Sequence, residues 1–122
     1  KVFKIEDLTP NNYNILILPG GVKSMEKVRQ NKNIIKFINE FYKQDKVIGC
    51  ICSGAQLLIS AQIIKDKKIA AYYSMQDDIN NAGAIYTDLP AVIDSGIVTT
   101  AHYKDLGPWM KAVINEYYKK FK

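Results

Sequence analysis

The run Val47-Ile48-Gly49-Cys50-Ile51 is a continuous apolar strand signal. It stops at Cys52-Ser53-Gly54 before Ala55-Gln56-Leu57-Leu58 resumes as an apolar helix. A strand without polar alternation is buried on both faces, which is the habit of parallel sheets covered by helices. The small polar residues between the two elements then require a sharp turn. In α/β proteins a nucleophile is often displayed on such a strand-to-helix turn. A thiol placed there meets the positive end of the helix dipole, which favours the reactive thiolate. Free cysteines are otherwise among the most buried and inert residues. Here both flanking elements converge on Cys52, and it leads the candidates for chemistry.

The rest of the chain repeats the strand-helix alternation. Tyr13 to Leu18 is a buried strand signal ended by Pro19-Gly20-Gly21. From Ser24 to Tyr42 the apolar residues recur at helical steps, and Asn31 or Asn33 can cap a second helix within that segment. Ser53 to Ile64 is predicted as a helix packed inside the fold. Ile69 to Tyr73 is predicted as a short strand, and Gln76 to Ala82 as a short helix closed by Gly83. Ile85-Tyr86-Thr87, Ala91 to Asp94 and Ile97 to Thr100 are strand-like, with Asp94-Ser95-Gly96 as a turn between the last two. Gly107-Pro108 opens a final amphipathic helix carrying Trp109, Met110, Val113, Ile114, Tyr117 and Tyr118. Alternating strands and helices predict an α/β domain with a mainly parallel sheet.

At 122 residues, 48% of them hydrophobic, the chain has the size of one domain. It holds no apolar run of the roughly 18 residues a membrane helix needs. No signal-peptide pattern opens it, and it does not begin with Met, so a piece of a longer product is expected. Cys50 and Cys52 are too close in sequence for an unstrained disulfide. Free thiols point to a reducing, cytoplasmic setting. The net charge of +5 comes almost wholly from dispersed lysines, with Arg29 the single arginine, so a solvated surface is favoured over a nucleic-acid face. One histidine and two cysteines do not make a zinc site, and no metal or cofactor is expected.

Four pieces taken in order resemble the ThiJ/PfpI superfamily, on the flavodoxin-like, class I glutamine-amidotransferase-like fold. They are Leu16 to Gly21, Ile51 to Leu58, Asp77 to Ala84 and Val92 to Thr100. The resemblance implies a flavodoxin-like sandwich with Cys52 on a nucleophile elbow. It makes residues 1–122 a single domain of this type, N-terminally incomplete, because a strand-helix unit with a carboxylate beside the thiol is expected before Leu16. It also implies an oxyanion hole from the backbone N–H groups of Gly21 and Ser53, preplaced for the charge that develops on a carbonyl oxygen. Gly20 would let the backbone approach a substrate closely.

The chain departs from the peptidase-like branch in two places. Ser53 stands where that branch carries His directly after Cys, so the proton carrier must be another group. The loop after Gly21 is one residue longer, although Glu26-Lys27-Val28-Arg29 still resembles the stretch holding that branch's triad Glu, which reaches a neighbouring subunit. Glu26 is therefore a candidate catalytic residue, with a simple helix-start carboxylate as its alternative. His102 is the available imidazole, and a surface loop histidine is its alternative. Tyr72 and Tyr73 match a pocket position in relatives, against a plain packing role.

The functional expectation is a cysteine-dependent hydrolase or lyase acting on a small carbonyl compound or carbonyl adduct. It would be glyoxalase-III-like or deglycase-like, in stress-response chemistry, and of a kind also described as an intracellular peptidase. Two partners are expected: the missing N-terminal segment of the same domain, and a second copy of the chain in a homodimer. The alternative is a non-enzymatic redox sensor working through reversible oxidation of Cys52. A glutamine amidotransferase is disfavoured, because Tyr103-Lys104 follows His102 where that class resembles His-x-Glu.

Overall fold

A computed structural model describes residues 1–122. Two short 3₁₀ turns, Ile5–Asp7 and Pro10–Asn12, lead into β1 (Ile15–Leu18). Then follow α1 (Val22–Val28), α2 (Lys32–Lys43), β2 (Val47–Ile51), a 3₁₀ turn over Cys52–Gly54, and α3 (Ala55–Ala61). The second half runs β3 (Lys68–Ile69), α4 (Gln76–Asn81), β4 (Ile85–Tyr86), β5 (Val92–Asp94), β6 (Ile97–Thr100) and α5 (Leu106–Phe121).

The main sheet has the order β1-β2-β6-β5. β1 and β6 both run parallel to β2, with Leu18 opposite Cys50 and Ile51 opposite Thr100. β5 folds back antiparallel on β6 through Ser95 and Gly96, whose φ values of 54° and 80° suit the tight primed turn of a hairpin. β3 and β4 form a separate two-stranded parallel pair. One face of the main sheet packs on α2 and α3, with Phe41, Ile48, Leu58, Ile64 and Ile97 in one core. The other face packs on α5 through Val47, Val98, Trp109 and Val113. Trp109 satisfies its indole N–H on the Val98 carbonyl at 3.0 Å. The result is the expected α/β sandwich with a mainly parallel sheet, and no helix in it is long and apolar enough to cross a membrane.

The long helical segment is indeed two helices. Asn31 caps the second, its side-chain oxygen accepting from the N–H groups of Asn33 at 3.0 Å and Ile34 at 3.4 Å. Two expectations need correction. The helix predicted to Ile64 ends at Ala61, where Gln62 turns left-handed at φ 58°. The strand predicted over Ile69–Tyr73 ends at Ile69. Beyond it the Ala70 N–H goes to the Thr99 hydroxyl at 2.8 Å, and Tyr73–Met75 turns as a 3₁₀ helix. The backbone there is satisfied by a side chain and a turn instead of a ladder.

Candidate active site

β2 carries Cys50 within the strand and ends at Ile51, so Cys52 is the first residue of the turn that follows. Cys50 is buried among the core residues, and burial, with Cys52 adding to it, pushes its thiol pKa well up. Cys52 is half-buried and sits at φ 59°, a left-handed conformation that costs a non-glycine residue about 1–2 kcal/mol. The surroundings hold it there. A Cβ at Gly20 would stand 2.9 Å from Cys52 Cβ, and one at Gly54 would stand 2.7 Å from both the Leu18 and Pro19 carbonyl oxygens. Only glycine at these two places lets the loop after β1 close on the elbow after β2.

Two groups of side chains flank Cys52. On one side Sγ lies 3.7 Å from Ser53 Oγ, and the buried Ser53 lines a cleft of about 510 Å³ between α1, α3 and α4. Glu26 lines the same cleft within this one chain, together with Arg29, Gln56, Asp78 and Asn81. Gly21, at φ 107°, begins α1 and gives its carbonyl to the Met25 N–H at 2.8 Å. The N–H groups of Gly21 and Ser53 donate to no turn, loop or cap carbonyl.

On the other side the Tyr72 N–H donates to the Cys52 carbonyl at 3.4 Å. The half-buried His102 ring stacks 6.5 Å from Tyr72 and 6.4 Å from Tyr73, and lies 4.0 Å from Tyr103. His102 Nδ1 accepts the Lys104 N–H at 3.1 Å. A neutral imidazole bonded this way carries its proton on Nε2 and presents a donor to its surroundings. Tyr73 and Lys104 are exposed, and interaction with Tyr73 raises the Lys104 pKa.

The sequence-predicted residues therefore fall into an elbow (Gly20, Cys52), a cleft wall (Ser53, Glu26) and an aromatic shelf (Tyr72, Tyr73, His102). Arg29, Gln56 and Asp78 were not foreseen in the cleft. The one available signal was the spacing of Ser53, Gln56 and Ser60 along one helix face, which the apolar character of α3 obscured.

The model of the DJ-1/PfpI family matches residues 3–116 of the chain. The Deglycase PfpI of Pyrococcus furiosus is 33% identical over 109 residues, covering 89% of this chain and 65% of that protein. The Protein/nucleic acid deglycase 2 of Escherichia coli is 35% identical over 101 residues, covering 83% of this chain and 58% of that protein. The chain thus spans less than two thirds of either relative. Among solved structures, a two-domain protein of Anabaena variabilis with DJ-1/ThiJ/PfpI-like and ferritin-like domains superposes with a TM-score of 0.87. The identity is 27%, over 91% of this chain and 32% of that one.

Proposed function

The chain belongs to the DJ-1/PfpI family, and on that premise we propose that it is a cysteine-dependent hydrolase or lyase for small carbonyl compounds or carbonyl adducts. The observation that carries this is the strained Cys52 elbow at φ 59°, against which Gly20 packs so closely that a Cβ on it would stand 2.9 Å from Cys52 Cβ. Strain of that kind persists only where the surrounding structure over-determines it, and it clusters at reactive sites.

In the proposed reaction Cys52 Sγ attacks the carbonyl carbon and a C–S bond forms. The carbonyl π pair moves to oxygen, where the N–H groups of Gly21 and Ser53 meet it. His102, with its proton on Nε2, and Glu26, in the cleft beside Ser53, are the proposed proton carriers. For a 2-oxoaldehyde the net change is addition of one water to give a 2-hydroxy acid. The aldehyde carbon is oxidised as the ketone carbon is reduced, so no outside oxidant is required. Ser53 in place of an adjacent histidine speaks against a peptidase-type triad. The deglycase names of the relatives support carbonyl-adduct chemistry instead.

The test is conversion of methylglyoxal to lactate, followed by proton NMR, with wild-type protein and Cys52→Ala. Turnover lost in the variant supports the proposal, and turnover retained by a folded Cys52→Ala protein overturns it.

A further inference from the structure

Arg29 is the only arginine in the chain, and it is held in a particular way. Its Nε donates to Ser60 Oγ at 2.9 Å and its Nη1 to Gln56 Oε1 at 3.2 Å, both on α3. Both acceptors are neutral. The chain's ion pairs are Lys36–Glu40, Lys119–Glu116 and Lys120–Asp45, so this half-buried guanidinium has no carboxylate within 4.0 Å. Two neutral bonds fix the fork in place without cancelling its charge, and they leave further N–H donors unused.

Arg29 shares its cleft with Ser53, whose hydroxyl lies 3.7 Å from Cys52 Sγ. Gln56 and Ser60 follow Ser53 at three- and four-residue steps, where helix side chains stand about 5–6 Å apart. The cleft also holds two carboxylates, Glu26 and Asp78, neither of them in an ion pair. A purely anionic ligand would be drawn to Arg29 and repelled by these two. A ligand carrying both charges satisfies all three.

We propose that this cleft binds a free amino acid by both of its backbone charges, with the carboxylate on Arg29 and the ammonium facing Glu26 and Asp78. Resting on the proposed attack of Cys52 on carbonyl adducts, this makes the substrate class an adduct borne on the side chain of a free amino acid. The same adduct within a polypeptide has its backbone nitrogen and carbonyl tied up in amides and offers neither charge.

The test is NMR titration of Cys52→Ala protein with L-norleucine, N-acetyl-L-norleucine and L-norleucinamide. L-norleucine is expected to bind about fivefold or more tightly than either single-charge analogue, the scale of one solvated charge-assisted contact. Arg29→Gln is expected to remove the advantage over L-norleucinamide, and Asp78→Asn to reduce the advantage over N-acetyl-L-norleucine, with Glu26 holding the remainder. Arg29 bridges two helices, so its variant is checked for a native spectrum. Asp78 is exposed, and its variant keeps the question decidable should Arg29→Gln unfold. Equal affinities for the three probes, or no shifts at Ser53, Gln56 and Asp78, overturn the proposal. Discrimination without Cys52-dependent turnover would sink the carbonyl chemistry and leave the amino-acid site standing. Turnover without discrimination would do the reverse.

Discussion

A Cβ placed on Gly20 would stand 2.9 Å from Cys52 Cβ and 3.4 Å from its Sγ. The loop after β1 therefore forms one wall of the nucleophile's position, and the left-handed elbow has no room to relax toward it. The Ile51 carbonyl, 3.3 Å from the same point, closes the space on the backbone side.

Gly20→Ala should accordingly move Cys52, because the nearest atoms belong to the elbow itself and not to the far end of a flexible side chain. Overpacking of this kind costs about 1–3 kcal/mol. The variant is expected to unfold at lower urea concentration and to react with iodoacetamide at Cys52 at an altered rate. Unchanged stability together with an unchanged alkylation rate would show that the elbow is not clamped from this side.

Cys50 should reveal itself in the pH dependence of stability. Cys50 is neutral in the native state because burial, reinforced by Cys52, raises its pKa above the ordinary value of 9.0. The sign follows from proton counting. Above that value the unfolded chain loses the Cys50 proton while the native state keeps it. The stabilisation is fully present below pH 9.0 and is lost as pH climbs toward the raised native value. The slope for one such group is about 1.4 kcal/mol per pH unit. Cys50→Ala removes this dependence while adding a pH-independent packing cost, so the stability gap between wild type and variant should narrow from pH 9 to pH 10. Urea melts at both pH values measure it, and a constant gap would refute the assignment. Peptide mapping at neutral pH should find label on Cys52 and not on Cys50.

What could be read in advance were the features written in adjacent residues. Asn31 announces a helix start by its own side chain, Asp94-Ser95-Gly96 announces a hairpin, and the apolar run into Cys52 announces the elbow. The illegible parts depend on partners distant in the chain. Ala70 leaves the strand because Thr99, 29 positions on, supplies its acceptor. Arg29 looked like one more surface cation because its anchors, Gln56 and Ser60, lie 27 and 31 positions away. Helix length at α3 was overread for a different reason: Ile63 and Ile64 are buried, but by the chain after the left-handed Gln62 and not by the helix.

Ser53 offers a test of the backbone that side-chain deletion cannot give. Its proposed role uses the N–H and not the hydroxyl, and that N–H donates to no turn, loop or cap carbonyl. The second position of a helical turn tolerates proline for the same reason. The cost falls on Cys52, since a residue before proline is pushed toward extended backbone, so circular dichroism must show that the turn and α3 survive. In a folded Ser53→Pro protein one of the two proposed oxyanion donors is gone. Removal of a single such donor lowers turnover on the order of a hundredfold or more. Ser53→Ala keeps the N–H and loses only the 3.7 Å contact to Cys52 Sγ, so its loss should be much smaller. Methylglyoxal turnover by the two variants, compared with Cys52 alkylation in each, separates a missing donor from a displaced nucleophile. If a folded Ser53→Pro protein matches Ser53→Ala in rate, the oxyanion is held by groups other than the Ser53 amide.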